Sequence, residues 1–259
     1  MNVWHMSGAG NTFAALDARG LALDFSELAK SLCAKLKADG LLAVDHADGA
    51  DFRLHFYNAD GSRGEMCGNG ARCVCKFAYD RGIAGEKMTV QTDAGLVYGQ
   101  RIDSETYRVQ LNNPRVVDLC RVKNTAYVEL GDPGVPHSVT EFQNLEFSQK
   151  EALREQFLQL RHDPAFPKGV NVNFYSRLGE NRIRVLTYER GVENFTLACG
   201  TGSASVATVL WTSGQLPGGV LEAENQGGLL KIEILGKAPG IEKIYLEGPA
   251  VLWKEYTNL

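Results

Sequence analysis

Two short stretches carry the residues most able to do chemistry. They are Met66-Cys67-Gly68-Asn69-Gly70-Ala71-Arg72-Cys73-Val74-Cys75 and Ala198-Cys199-Gly200-Thr201-Gly202-Ser203-Ala204-Ser205-Val206-Ala207. Each sets a cysteine before Gly-x-Gly and then a run of small and apolar residues, which predicts a helix of about 12 residues buried on nearly all sides. A buried helix turns its first N–H groups and its positive dipole end into the interior, where they form an anion site. The glycines let a ligand approach the backbone closely. A thiol at that end is predicted to ionise more readily than usual. Two thiols beside an anion cradle suit removal of a proton from one face of a carbon and return of one to the other face. The N–H groups would hold a substrate carboxylate and stabilise the carbanion-like transition state. The pattern points to a cofactor-independent racemase or epimerase. The rival readings are a redox dithiol, with Cys67 and Cys199 in a reversible disulfide, and a ligand-binding protein.

The elements that must position these turns repeat. Cys67 and Cys199 lie 132 residues apart; Thr92–Val97 parallels Asn225–Leu230 at an offset of 133, and Val109–Pro114 parallels Tyr245–Pro249. Three matches in order argue for two homologous halves. In each half an alternating strand comes first (Phe52–Tyr57, Arg182–Tyr188), then the cysteine turn and its helix. Further strands follow at Met88–Thr92 and Tyr107–Leu111, and at Leu229–Leu235 and Lys243–Leu246. Amphipathic helices are predicted at Ser26–Lys37 and Ser148–Leu160, with Ser26 and Ser148 as N-caps and Glu151 three residues after the second. The fold class is mixed α/β with two similar lobes, and a site between related lobes is the expectation.

Composition narrows the function classes. The chain has 259 residues, 44% hydrophobic and 22% charged, enough apolar content for a packed core. Lys+Arg is 27 and Asp+Glu 31, for a net charge of −4, which argues against nucleic acid as a partner. No apolar run is long enough for a membrane-spanning helix. The first residues, Met1–Met6, do not read as a signal peptide, so reduced thiols in a cytoplasm are expected. Six cysteines are too sparse for a disulfide scaffold, and without a CxxC pair no structural zinc site is predicted. Cys33, Cys73, Cys75 and Cys120 lack the turn context and read as packing residues.

At these residues the chain resembles the diaminopimelate epimerase family, pyridoxal-phosphate-independent enzymes of lysine and peptidoglycan precursor synthesis. The resemblance runs from residue 1 to about 253. It rests on Met6-Ser7-Gly8-Ala9-Gly10-Asn11, on Phe56–Ser62 through Met66–Cys73, and on Tyr188-Glu189-Arg190-Gly191 through Ala198–Gly202. Ala38–Leu42 and Gly169-Val170-Asn171 add weaker support. The resemblance implies Cys67 and Cys199 as the acid/base pair, with His137 near Cys67 and Glu189 near Cys199 assisting thiol deprotonation. It implies a cradle of backbone N–H groups from Gly68, Asn69, Gly200 and Thr201. Asn11, Asn58, Asn171, Glu189 and Arg190 would contact the substrate, amides reading a zwitterion and the guanidinium a carboxylate. The implied reaction is inversion of LL-diaminopimelate to the meso form, with no cofactor and no metal. The alternative is a racemase of another amino acid, such as histidine or proline. The implied fold is two pseudo-symmetric lobes, each a mostly antiparallel sheet wrapped around a central helix, with the active site in the cleft between them. The lobes are read as 1–115 and 116–253, with the last strand, 254–259, joining the first. The expected partner is an amino-acid substrate; a homodimer is left open. Two positions depart from the family pattern. Val135 stands in Gly134-Val135-Pro136-His137 where Asn is common, and Thr12 follows Asn11 where Asp is common. Valine removes one polar contact to the substrate.

Overall fold

The structure, a computed structural model, describes residues 1–64 and 67–257. Met66 of the first cysteine motif, and Asn258 and Leu259 of the expected last strand, lie outside the described residues. The chain divides into two compact units, Met1–Gln110 with the returning segment from Glu247, and Leu111–Leu246. These divisions fall a few residues before the positions 115 and 253 read from the sequence.

The first unit opens with β1 (Val3–Gly8) and β2 (Asn11–Asp17), then α1 (Phe25–Leu36), β3 (Gly40–Asp45) and β4 (Phe52–Asn58). The short β5 (Arg63–Gly64) precedes α2 (Gly68–Asp80), and β6 (Lys87–Thr92), β7 (Gly95–Arg101) and β8 (Thr106–Leu111) follow. The second unit repeats the series. It runs β9 (Pro114–Val122), β10 (Thr125–Leu130), β11 (Val135–Glu141), α3 (Lys150–Arg161), β12 (Asn171–Gly179), β13 (Arg182–Glu189) and β14 (Asn194–Phe195). It continues with α4 (Gly200–Thr212), β15 (Val220–Asn225), β16 (Gly228–Leu235) and β17 (Lys243–Pro249), after which β18 (Val251–Tyr256) ends the described chain.

Strand directions carry the duplication. In the first unit β18–β1 and β1–β2 are antiparallel, β2–β3 parallel, β3–β4 antiparallel, β4–β6 parallel and β6–β7 antiparallel. In the second unit β9–β10 and β10–β11 are antiparallel, β11–β12 parallel, β12–β13 antiparallel, β13–β15 parallel and β15–β16 antiparallel. Each parallel step is a crossover, since a tight hairpin can join only antiparallel neighbours. The last strand pairs Val3 with Tyr256 and so belongs to the first unit.

The two cysteine helices are the most deeply buried. In α2 every residue from Gly68 to Ala78 is buried, and in α4 Gly202–Thr208 are buried together with Gly200 and Leu210. Each packs against its own unit's strands, α2 on β1, β2, β3 and β7, α4 on β10, β11, β12 and β16. The small residues after each cysteine permit this, because a helix surrounded by sheet leaves little room for long side chains. The outer helices show one buried stripe. In α1 this is Ala29, Leu32, Cys33 and Leu36, set on a cluster with Val3, Leu16, Leu41 and Ala43. In α3 Leu153 and Phe157 face an aromatic cluster, with the Phe157 and Phe174 rings 4.1 Å apart.

The expected N-caps are displaced. Asp24, not Ser26, caps α1, its carboxylate accepting from Ser26 N at 3.0 Å and Glu27 N at 3.2 Å. The Ser26 hydroxyl donates instead to Gly61 O at 2.8 Å. Ser148 lies inside a 3₁₀ turn, Phe147–Gln149, closed by a capping box between Glu146 and Gln149. A carboxylate is the stronger acceptor for first-turn N–H groups, which places the start one or two residues earlier. Asp24→Ala is expected to lower stability by about 1 kcal/mol in denaturant unfolding, and Ser26→Ala by less.

Candidate active site

In the first unit the hairpin from β1 to β2 turns through Ala9 (φ 52°) and Gly10 (φ 91°) and delivers Asn11. Asn11 Oδ1 accepts from Asn69 Nδ2 at 2.6 Å, and its own Nδ2 donates to Asp39 Oδ2 at 3.4 Å. Asn69 Oδ1 accepts from Arg72 Nη2 at 2.7 Å, while Arg72 Nη1 donates to Gly68 O at 3.2 Å. A polar relay therefore runs Asp39–Asn11–Asn69–Arg72 beneath the first turn of α2. β1 approaches that turn closely: a Cβ on Gly8 would stand 2.8 Å from Asn69 O and 3.0 Å from Cys73 Sγ. Asp39 also accepts from Thr12 N at 2.8 Å. A carboxylate thus stands beside the start motif even though Thr12 replaces the family's Asp.

Cys67 is the extended N-cap residue of α2 and is half-buried. The first helical bond is Ala71 N to Cys67 O at 2.7 Å, so the Gly68 and Asn69 amides precede the helical ladder at its positive end. Asn58 closes β4 on the exposed side. Its Nδ2 donates to Ser62 Oγ at 2.9 Å within a turn in which Asp60 binds Ser62 N.

In the second unit Cys199 is the N-cap of α4 and is buried. Its Sγ accepts from Gly202 N at 3.3 Å and lies 3.5 Å from Thr201 Oγ1. The first helical bond is Ser203 N to Cys199 O, leaving the Gly200 and Thr201 amides ahead of it. Glu189, the last residue of β13, is a hydrogen-bonding partner of the Cys199 thiol and accepts from Thr196 Oγ1 at 2.7 Å. The expected easy ionisation does not hold for Cys199. Burial, and then the Glu189 carboxylate, push its thiol well above the ordinary value, against the pull of Thr201 and Gly202. Burial raises Glu189 as well, against the hydrogen bonds from Thr196 and Cys199. The helix end alone does not overcome desolvation and a neighbouring anion. Cys199 is held as a thiol directed at a carboxylate that can take its proton.

His137, on β11, is completely buried, and Asn173 fixes its tautomer. The Asn173 amide Nδ2 faces Ser138 O at 2.9 Å, Asn171 O at 3.2 Å and His137 Nδ1 at 3.2 Å, while its Oδ1 accepts from Thr187 Oγ1 at 2.9 Å. The Thr187 hydroxyl donating to Oδ1 sets the amide orientation, and Nδ2 can only donate, so its hydrogen bond to the ring has Nδ1 as acceptor and the ring proton on Nε2. Nε2 is buried with no partner among the described residues. Burial, with a smaller contribution from Arg190, lowers the pKa to about 3. His137 is therefore a neutral donor, suited to stabilising an anion. Asn173 also sits on α4: a Cβ on Gly202 would collide with its Oδ1. Asn171 is used on both sides, its Oδ1 accepting from Arg190 N at 2.9 Å and its Nδ2 donating to Pro136 O at 3.2 Å. The Arg190 guanidinium is exposed and donates to Lys168 O at 2.8 Å. Val135 begins β11 and is 40% exposed.

The first unit thus gathers Asn11, Gly68 and Asn69 at Cys67, with Asn58 at the neighbouring strand end. The second gathers Glu189, Gly200 and Thr201 at Cys199, and His137, Asn171 and Arg190 along β11, β12 and β13. The sequence reading missed Asp39, Arg72 and Asn173 as site residues. Arg72 was signalled as the one charge in the run Gly68–Cys75, and Asn173 by its two-residue spacing from Asn171. Cys33, Cys73 and Cys75 are buried as expected, but Cys120 is exposed, because outward positions dominate the second half of β9. Among the described residues no group of three or more His, Cys, Asp or Glu is arranged to hold a metal, and no helix is long and apolar enough to cross a membrane.

The diaminopimelate epimerase family model matches residues 3–117 and 130–253. The diaminopimelate epimerase of Aquifex aeolicus is 36% identical over 233 residues, covering 83% of this chain and 82% of that protein. That of Methanothrix thermoacetophila is 36% identical over 267 residues, covering 95% and 91%. Among solved structures, a Bacillus anthracis phenazine biosynthesis protein of the PhzF family superposes with a TM-score of 0.75 at 16% identity, covering 99% and 98%. A hydroxyproline epimerase from Agrobacterium vitis gives 0.70 at 15%, covering 99% and 91%. At those identities the likeness is one of fold.

The state of His137 has a measurable consequence. Its folded pKa lies below the ordinary 6.5, so on acidification the unfolded chain takes up the proton first. Its stabilising contribution is present above about pH 6.5 and is lost toward about pH 3, at up to about 1.4 kcal/mol per pH unit. Urea unfolding between pH 4 and 7 should show this component, and His137→Gln should lack it. Equal pH slopes in the two proteins would contradict the buried neutral imidazole.

Proposed function

Because the chain belongs to the diaminopimelate epimerase family, we propose that it inverts one α-carbon of LL-diaminopimelate to give the meso isomer. The observation that carries this reading is the duplicated placement of a cysteine as the cap of a buried helix. In the proposed reaction one thiolate removes the α-proton, leaving the electron pair on the carbon, and the other thiol delivers a proton to the opposite face. Cys67 and Cys199 are the proposed pair, which requires both sulfurs to address one α-carbon. The amides of Gly68, Asn69, Gly200 and Thr201 would bind the α-carboxylate and the charge that develops on it. Glu189 receives or returns the Cys199 proton, and the His137 Nε2–H stabilises the anionic form of Cys67 or of the substrate. Asn11, Asn58 and Asn171 would read the distal ammonium and carboxylate, with Arg190 on the carboxylate.

The setting that suits this chemistry is a reducing cytoplasm, and the pathway is lysine and peptidoglycan precursor synthesis. Within that role Val135 favours an apolar contact, or a bridging water, where relatives commonly present an amide.

Incubation with LL-diaminopimelate in D2O tests the reading. Deuterium should enter at the α-carbon as the meso isomer forms. Cys67→Ser and Cys199→Ser should each lower turnover by at least about 10²-fold, since a hydroxyl is a far weaker acid than a thiol. Near-normal turnover in either variant would refute the two-thiol mechanism.

Specificity is separable from the chemistry. Lysine lacks the second carboxylate, so kcat/KM for LL-diaminopimelate should exceed that for lysine by about 10²-fold or more. Arg190→Ala should narrow that gap. A preference for lysine, proline or histidine would overturn the substrate assignment and leave the proton transfer intact.

A further inference from the structure

Arg72 plays no part in the proton transfer as derived above, yet among the described residues it is the largest fully buried side chain. Its donors reach Gly68 O at 3.2 Å, Asn69 Oδ1 at 2.7 Å and Pro249 O at 3.5 Å, all neutral oxygens. Neutral acceptors satisfy the N–H groups but leave the charge uncompensated, and a buried uncompensated cation is strongly unfavourable. The guanidinium also sits beneath the positive end of α2, which adds to the need for an anion there. Among the described residues, the ionisable groups acting on it are the thiols of Cys67, Cys73 and Cys75. Burial pushes Cys73 and Cys75 up to about 12, so both remain neutral. Burial lowers Arg72 itself to about 10, which leaves it charged at neutral pH. Cys67, half-buried at the helix end, is the thiol in position to supply the anion.

The second half is built the other way. Ala204 stands at the position of Arg72, five residues after its cysteine, and α4 itself carries no Lys or Arg. The strand leading to α4 ends in Glu189, whereas the strand leading to α2 ends in Asn58. One thiol lies beside a buried cation and the other beside a carboxylate. Other titratable groups on α2 and on the strands packed against it are engaged elsewhere. Lys76 pairs with Asp80, Asp17 with Arg19, Asp45 with His55 and Arg101 with Glu86. His5 is lowered by burial and stays neutral, and Tyr98 is exposed.

We infer that Arg72 is the buried counter-cation of a Cys67 thiolate, so that the resting protein holds Cys67 ionised while Cys199 keeps its proton. The inference rests on the two-thiol reading above. It gives Arg72 the role of a positioning residue acting through Cys67 and the first turn of α2. In the forward step the Cys67 thiolate takes the α-proton and Cys199 delivers its own to the opposite face. The protein is left with a Cys67 thiol and a Cys199 thiolate; Cys67 then loses its new proton to solvent and Cys199 takes one up from solvent by way of Glu189, which restores the resting state.

Thiol ionisation tests this without reference to turnover. Iodoacetamide labelling across pH 5 to 10, with each peptide quantified by mass spectrometry, gives a midpoint for each cysteine. In the wild-type protein Cys67 should titrate below an ordinary thiol, whose value is about 8.5, and Cys199 above it. Arg72→Met should raise the Cys67 midpoint by at least about one pH unit and lower its labelling at pH 7 about tenfold, with Cys199 unmoved. Arg72→Lys keeps the charge and loses the guanidinium's geometry; it should restore most of the labelling, which a purely structural role would not allow. Should Arg72→Met fail to fold, thiolate absorbance near 240 nm serves instead. The step at the lowest pH should vanish in Cys67→Ser and persist in Cys199→Ser. A wild-type Cys67 midpoint at or above the ordinary value, or one unchanged in Arg72→Met, would overturn the inference. An unaltered titration in a protein that does not turn over diaminopimelate would refute the function and leave the charge pairing standing.

Discussion

The protein depends on one constraint: the first N–H groups of two helices are turned into the interior, where they have no helical acceptor. Such groups must meet an oxygen, a sulfur or a ligand. In α4 the Cys199 sulfur takes the Gly202 N–H, and the preceding amides remain directed at whatever binds beside the thiol. Much of the sequence follows from this. The residues behind each cysteine are small because the helix is enclosed by strands, and Gly8 and Gly202 bear no Cβ because β1 and Asn173 lie against those first turns. The alternation of antiparallel and parallel pairings, repeated in both units, is what wraps a sheet around each helix.

Duplication makes the two helix ends alike; side chains make them different. A cation lies under α2 and a carboxylate beside Cys199, while the backbone frames correspond strand by strand. The same contrast extends outward. The relay beneath α2 ends on Asp39, which ties the start motif to the helix. The network beside α4 centres on the Asn173 amide, whose NH2 group faces two carbonyls and an imidazole and whose oxygen accepts from a hydroxyl. In that network the amide nitrogen can only donate, so His137 Nδ1 accepts and Nε2–H is left as a donor with no partner among the described residues.

The residue types and the repeat made the two cysteine turns and the strands around them legible in the sequence, and the family resemblance supplied the return of the last strand. Cys-Gly-x-Gly before a run of small residues has few structural uses, and a second copy narrows them further. Quantities belonging to tertiary environment were not legible. The ionisation of Cys199 was misjudged because local sequence shows the helix end but not the depth of burial or the approach of Glu189. The caps at Ser26 and Ser148 were misplaced because Asp24 and Glu146 compete for the same N–H groups, and adjacent acceptors look alike without their dihedral angles. Asn173 was hidden in a strand, where its face and neighbours are set by β11 and β13. Cys120 was read as packing because it lacks the turn context, and its exposure on β9 depends on neighbours the local sequence does not show.

Reversibility limits how far the asymmetry can go. On the proposed two-thiol mechanism, a protein that works in both directions must meet one isomer with Cys67 ionised and the other with Cys199 ionised. If the two thiols differed by several pH units in ionisation, one of those states would be depopulated by the same number of powers of ten, and the corresponding direction would slow in proportion. The bias must therefore be large enough to define a resting state and small enough to be reversed during each cycle. The arrangement around Arg72 meets both demands. Two of its donors are committed to Gly68 O and Asn69 Oδ1, so part of its charge is directed at neutral oxygens in the turn that follows the thiol. On the other side Glu189 is itself raised by burial, so it can pass a proton to Cys199 or take one from it as the cycle resets. A stronger counter-ion on either side would fix one thiol in one state and leave the protein able to remove a proton but slow to regenerate its base.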